Sequence, residues 1–284
     1  MREYMSFGGG VQSTAIALLA INKDERLLKA TGGKLPELYV FADTAAEPDA
    51  VYENVASMQE MIEGSGAEFK TVYRYDEEER RKLSNAVCNP LEKQKQGGIP
   101  WIPAFVESDT SPMPIMRRCT YTYKVEAVHR SVRAHFKVPR GCKEEIIRAW
   151  IGISVDEIQR MRDSREKWQG LFYPLVKMGW RRGDCSRYIE QHKMDPTRSA
   201  CVYCPFRNNR EWEEMRQHNP NDFKRAVEFE KRLHAAYDGL DEPLLKSKPF
   251  IHRSRKRLDE VDFTGGQLDL PLGMQNECLG MCGV

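Results

Sequence analysis

The strongest constraint on this chain is a run of glycines set between a strand and a helix. Glu3 to Phe7 reads as a short strand, and Val11 to Ile21, rich in Ala, Ile and Leu, reads as a helix. Between and across them runs Ser6-Phe-Gly-Gly-Gly-Val-Gln-Ser-Thr14. Three glycines let the backbone turn tightly and approach a ligand closely. The following helix offers its first N–H groups and the positive end of its dipole. Ser13 and Thr14 add hydroxyls. Together these favour an anion, most naturally phosphate. The loop is neither GxxxxGK[ST], since no lysine follows, nor GxGxxG.

The alternation of strand and helix continues. Leu38 to Ala42 is apolar throughout, as in a strand buried on both faces. Pro48 opens a helix at a favoured early position. Val51, Val55, Met58 and Ile62 then form one apolar stripe, and Gly64-Ser-Gly66 ends it. Phe69 to Tyr75 is a third strand. Such an order predicts a parallel sheet covered by helices, with ligands at the carboxyl ends of its strands.

From Asp76 to Pro114 the pattern weakens. Lys93 to Gly98 reads as a surface loop and Ile99 to Pro103 as a poor interior strand. Thr120 to Phe136 reads as a helix and Ile146 to Ile153 as a buried strand. Asp184 to His192 and Asn208 to Tyr237 read as helical, the latter divided at Pro220. This predicts an α/β domain over residues 1–205, then a helical extension and cysteine-containing tail over 206–284.

Composition excludes some classes. The 284 residues are 40% hydrophobic and 30% charged, an ordinary globular mixture. No apolar run reaches the length of a membrane span. The N-terminus has no apolar signal core, so a cytoplasmic protein is expected. Forty-four basic against 42 acidic residues leave +2, which by itself demands no nucleic-acid partner. Eight cysteines include the close pairs Cys201/Cys204 and Cys278/Cys282. In a reducing compartment such pairs suggest metal, cluster or redox chemistry.

The glycine loop resembles the PP-loop of the ATP pyrophosphatases and of the related phosphoadenylyl-sulfate (PAPS) reductases. Gly8 stands at the pyrophosphatases' first serine. Gln12 is similar to the reductase variant. Phe41-Ala-Asp-Thr44 with Glu47 and Tyr52 resembles the second-strand motif. Arg117-Arg-Cys-Thr-Tyr-Thr-Tyr-Lys124 resembles the Cys-Cys-x-x-x-Lys motif, with Arg118 in place of one cysteine. Trp150-Ile-Gly-Ile-Ser154 with Asp156, Glu157 and Arg160, Tyr173-Pro-Leu-Val176 with Asp184, and Ser199-Ala-Cys-Val-Tyr-Cys204 follow in the family's order. The likeness covers most of residues 1–205.

The resemblance implies a Rossmann-like PP-loop fold of the adenine nucleotide α-hydrolase type, binding ATP and Mg²⁺. Ser6, Phe7, Gly8, Gly9, Gly10, Gln12, Ser13 and Thr14 would surround the phosphates. Phe41, Asp43, Thr44 and Gly152 would flank the nucleoside. Asp43 or Glu47 would hold Mg²⁺. Ser13, Arg117, Arg118 and Lys124 would act on the leaving group. Cys119, Cys201 and Cys204 match three of four ligands of a [4Fe–4S] cluster. Cys278, Cys185 or Cys282 could supply the fourth, and zinc suits the same thiols. The tail resembles the reductases' Glu-Cys-Gly-x-His, which makes Cys278 a nucleophile for sulfur transfer.

Lys246, Lys248, His252, Arg253, Arg255, Lys256 and Arg257 make a basic stretch suited to a polynucleotide backbone or an extra phosphate. The first expectation is an enzyme that cleaves ATP between its α and β phosphates, the released energy serving adenylation or sulfur transfer. A thiol-dependent adenylyl-sulfate or PAPS reductase is the second. A non-catalytic nucleotide-binding partner of a nucleic-acid system is the third. Expected partners are an adenine nucleotide and either a nucleic acid or a sulfur-donor protein.

Overall fold

The computed structural model describes residues 1–74, 104–106, 113–114, 119–195, 198–239 and 247–264. The expectations for Lys93–Gly98, Ile99–Pro103, Arg117, Arg118, Lys246, Cys278 and Cys282 lie outside the described residues.

A five-stranded parallel sheet organises the first unit, which holds residues 1–74 and 123–199. Its strands are β1 (Arg2–Ser6), β2 (Leu38–Ala42), β3 (Glu68–Val72), β6 (Ile147–Trp150) and β7 (Gln169–Phe172), in the order β3-β2-β1-β6-β7. Register places Tyr4 beside Leu38 on one side and beside Ala149 on the other. The chain winds outward from β1 to β3, then returns to add β6 on β1's other edge. The switch point therefore lies between β1 and β6, where ligands collect in open α/β sheets.

Both faces of the sheet are covered, and the central strand β2 is apolar and buried at every position. Met5, Tyr39, Phe41 and Trp150 pack with α1 (Val11–Ile21), α3 (Asp49–Gly64) and α6 (Arg182–Gln191). Tyr4, Leu38, Val40, Ala42, Ile147 and Ala149 pack on the other side with Val128 and Val132 of α4 (Glu126–His135). The stripe read on α3 is the buried one: Val51, Val55, Met58 and Ile62 all face the core. Residues of alternating orientation on a buried strand thus both find apolar partners.

Three local features depart from the sequence expectations. A short α2 (Glu25–Thr31) follows α1, capped by the Asp24 carboxylate, which accepts from Arg26 N–H at 2.9 Å, and closed by Gly32 at φ 68°. β7 is an additional strand with a glycine inside it. Third, Thr120–Val125 is a π-helix rather than the first turns of an α-helix. Such widened turns are uncommon and gather at functional positions. α5 (Pro174–Met178) completes the unit.

The second unit comprises the described residues of 75–122 and 200–277. Here β4 (Phe105–Val106) and β5 (Met113–Pro114) pair antiparallel, and Phe105 exchanges backbone hydrogen bonds with Phe250. Two helices, α7 (Asn209–His218) and α8 (Pro220–Asp238), meet at the proline where a break was expected. Asn208 and Glu211 cap α7 reciprocally, each accepting the other's backbone N–H at 2.8 Å. Trp212, Phe229, Ile251 and Leu258 are buried here. The two units divide at 199/200, and the second also takes described residues preceding 123.

Candidate functional site

The glycine loop leaves β1 at the switch point and enters α1. Gly9 has φ 68°, a conformation that L side chains rarely adopt. A Cβ there would also lie 2.9 Å from Val51 and 3.0 Å from Val55. Gly10 is the N-cap, and a Cβ on it would stand 3.0 Å from Ser199 Cβ. From the other side of the switch point, Gly152 presses on α1: its Cβ would meet Ser13 N at 3.1 Å. At each of these glycines the missing Cβ lets the loop or α1 pack closer to a neighbour than any other residue would allow, and the start of α1 offers N–H groups to an anion.

Side chains brace the loop. Gly10 N–H donates to Ser13 Oγ at 3.1 Å, and Ser13 Oγ donates to Gly10 O at 3.0 Å. Asn54 Nδ2 donates to Gly9 O at 3.0 Å and to Thr14 Oγ1 at 2.9 Å. Thr14 is therefore a buried brace rather than a hydroxyl open to ligand. Gln12 turns sideways, donating to Glu157 Oε2 at 3.1 Å and accepting from Arg182 Nη1 at 3.4 Å. Glu157 also pairs with Arg160 at 2.6 Å. Burial lowers the Arg182 pKa from its usual value, and the nearby Glu157 and Asp156 partly restore it.

The end of β2 supplies the acidic side. Asp43 Oδ1 accepts from Ala45 N–H at 2.7 Å and from Tyr52 OH at 2.8 Å. Ala45 sits at φ 58°, a strained conformation for a residue with a Cβ. Burial and the Asp43 carboxylate push the Tyr52 hydroxyl pKa up, so it stays protonated and donating. Phe41 and Phe7 point into the core, so only their backbones can line the site. Ser6 is buried at the end of β1.

Lys124 was expected to act as a cation on a leaving group. Instead its Nζ lies 2.8 Å from Glu47 Oε1, both side chains being buried, and Thr44 Oγ1 donates to the same oxygen at 3.2 Å. Glu47, expected as one of two carboxylates at Mg²⁺, is thus the counter-ion of Lys124 through Oε1. Asp43, the other carboxylate expected at Mg²⁺, is buried at the end of β2.

The cysteines were expected to hold a cluster. Cys201 and Cys204 bracket a turn in which Cys204 N–H donates to Cys201 O at 3.0 Å. Arg207 Nη2 ties that turn down through Ala200 O at 2.8 Å and Cys201 O at 3.2 Å. No disulfide joins any two of Cys119, Cys142, Cys185, Cys201 and Cys204. Among the described residues, no three His, Cys, Asp or Glu side chains gather as a metal-ligand set. Cys119, Cys201 and Cys204 all belong to the second unit, and Cys278, the expected fourth ligand, lies outside the described residues. Cys185, an alternative expected ligand, is buried in the core of the first unit, and that burial pushes its thiol up to about 12.

Much of the basic stretch is occupied. Lys248 pairs with Asp238 at 2.7 Å and Arg257 with Asp259 at 2.8 Å. His252 is buried. Asn54 and Arg182 escaped the sequence reading, and Ser199 entered it only as the first residue of the Cys201/Cys204 motif. Asn54 had a signal: it is a polar residue at helical spacing within the buried stripe of α3. No helix among the described residues is long and apolar enough to cross a membrane.

No family model matches the chain, and no curated protein matches it. Among solved structures it is similar to the U34-tRNA thiolase NcsA from Methanococcus maripaludis with its [4Fe-4S] cluster. That likeness has 12% identity and a TM-score of 0.36, over 95% of this chain and 82% of the other.

Proposed function

We propose that this chain is an adenine-nucleotide enzyme that cleaves ATP between the α and β phosphates. The observation that carries this reading is the triple-glycine loop at the β1–β6 switch point, leading into the N-terminus of α1. Gly9 and Gly10 bring loop backbone close to α3 and Ser199, and Gly152 closes on the start of α1. Backbone donors and the helix dipole would bind the β and γ phosphates and stabilise the charge that develops on departing pyrophosphate. Ser13 would hold the loop closed through Gly10, and Asn54 would fix Gly9 from behind. Asp43, held by Tyr52 and Ala45, would bind Mg²⁺, which supplies charge neutralisation when present. The Lys124–Glu47 pair would support Thr44 beside the nucleoside. The adenylyl group would pass to water or to an acceptor activated for sulfur transfer. No step is assigned to a cluster.

Product analysis tests this. Anaerobically purified protein is incubated with Mg²⁺ and ATP, and in parallel with adenylyl sulfate or PAPS plus a thiol reductant. AMP and pyrophosphate from ATP, strongly reduced in Ser13→Ala, are the expected result. Sulfite from either sulfate donor, without ATP cleavage, would replace the proposal with the reductase reading.

A further inference from the structure

We infer that Ser199 is a phosphate-binding residue that completes the glycine loop from outside it. The inference rests on the proposed nucleotide site and adds a ligand contact to it. Three observations meet at one point. First, the Ser199 Oγ atom is buried and has no hydrogen-bond partner among the described residues. A buried hydroxyl without a partner costs roughly 1–3 kcal/mol, so such groups commonly await a ligand or water. Second, this Oγ lies 3.8 Å from where a Cβ on Gly8 would be, and Ser13 Oγ lies 3.8 Å from the same point. Two hydroxyls thus flank the Gly8 position. Third, Ser199 touches the loop closely enough to require glycine at Gly10, where a Cβ would meet Ser199 Cβ at 3.0 Å and its backbone N at 3.4 Å.

The chemistry follows from these positions. Ser13 Oγ already donates to Gly10 O. Ser199 Oγ has its proton available to donate, and it stands beside Gly8 at the loop that leads into the N-terminus of α1. An anionic oxygen seated over Gly8 would accept that proton, giving a charge-assisted bond stronger than one between neutral groups. Gly8, unlike Gly9, is not held at positive φ, and a Cβ there has ordinary contact distances. Space for a side chain therefore exists at Gly8, yet the hydroxyl arrives from residue 199.

This geometry sets up a rescue experiment. Equilibrium binding of ATP, inorganic pyrophosphate and adenosine is measured for wild type, Ser199→Ala, and Ser199→Ala combined with Gly8→Ser. The expected result is ATP and pyrophosphate binding weakened about tenfold or more in Ser199→Ala, as for loss of a bond to a charged group. Adenosine binding should be unchanged. Gly8→Ser, placing a hydroxyl at the same loop, should recover a substantial part of the loss. Unaltered ATP and pyrophosphate affinity in Ser199→Ala would overturn the inference while leaving the proposed function standing. Equal loss of adenosine and ATP, or no recovery on Gly8→Ser, would also overturn it, since a merely structural serine behaves that way. A wild-type protein that binds none of the three would sink the nucleotide site itself, and Ser199 with it.

Discussion

At the residue scale, adjacent glycines in the loop do different jobs. Gly9 is held at φ 68° with two valine methyl groups near its missing Cβ, whereas the Gly8 position has room. Gly9→Ala is therefore expected to cost about 2 kcal/mol of stability, from backbone strain and displacement of α3. Gly8→Ala should stay within about 0.5 kcal/mol of wild type. Urea unfolding of the two variants checks this; equal losses would show that the loop does not discriminate between them. The glycine run was legible in the sequence, but which glycine is irreplaceable was not. That depends on Val51 and Val55, more than forty positions away, and on Ser199. Lys124 shows the same limit. Its charge was visible, but its partner Glu47 reaches it only through the packing around β2.

At the element scale, the segment 247–264 lies along α8 and carries two buried titratable contacts of opposite sign. Glu230 of α8 accepts the N–H groups of Ile251 at 2.9 Å and Leu258 at 2.6 Å. His252 Nδ1 accepts from Ser254 N–H at 3.1 Å, so its Nε2–H donates to Asn209 Oδ1 at 3.1 Å. Burial and nearby Arg253 lower the His252 pKa to about 4. A folded pKa below the unfolded value, about 6.5, means that the neutral ring is favoured on folding. This stability is fully present above about pH 6.5 and is lost as pH falls toward 4, by up to about 3 kcal/mol. Burial raises the Glu230 pKa to about 6. Its contribution runs the other way: it is present below about pH 4.5 and lost as pH rises through 6. Glu230 therefore offsets part of the histidine effect. His252→Gln should remove the acid-side loss, leaving stability that declines from pH 4.5 to 6. Hydrogen exchange at Ile251 and Leu258 across this range reads it; a variant that still loosened between pH 6.5 and 4 would assign the effect elsewhere.

Elements with strong periodicity were legible: α1, α3, β2 and the proline break between α7 and α8. Those with weak local signals were not. β7 is short and contains Gly170, which weakens a strand's own preference. Its strand state comes from pairing with β6. The π-helix at Thr120–Val125 occupies a sequence that reads as ordinary helix, because an inserted residue in a helical turn leaves no composition mark.

At the scale of the whole molecule, the first unit is discontinuous in sequence. Arg130 Nη2 donates to Tyr73 O at 2.8 Å and Arg74 O at 2.7 Å, and Arg74 pairs with Glu126. The two ends left by removing residues 75–122 are thus near one another. A chain joining residues 1–74 to 123–199 through about six Gly and Ser residues is expected to fold with one cooperative transition, since a flexible linker of that length spans about 13 Å. Thermal unfolding by circular dichroism checks this. A chain without a transition would mean that the sheet needs the intervening residues or those after 199.

The sequence by itself determined the strand–helix order, the apolar faces and the glycine loop. Each of these follows from local rules: the two periodicities, proline and glycine geometry, and helix-end donors. Only the tertiary structure decided what surrounds the loop. β6 pairs with β1 across more than 140 residues, and that pairing brings Gly152 against Ser13 and Glu157 against Gln12. Ser199 arrives from still farther along the chain. Local preference carries no information about such neighbours, because they are chosen by burying both faces of one sheet at once.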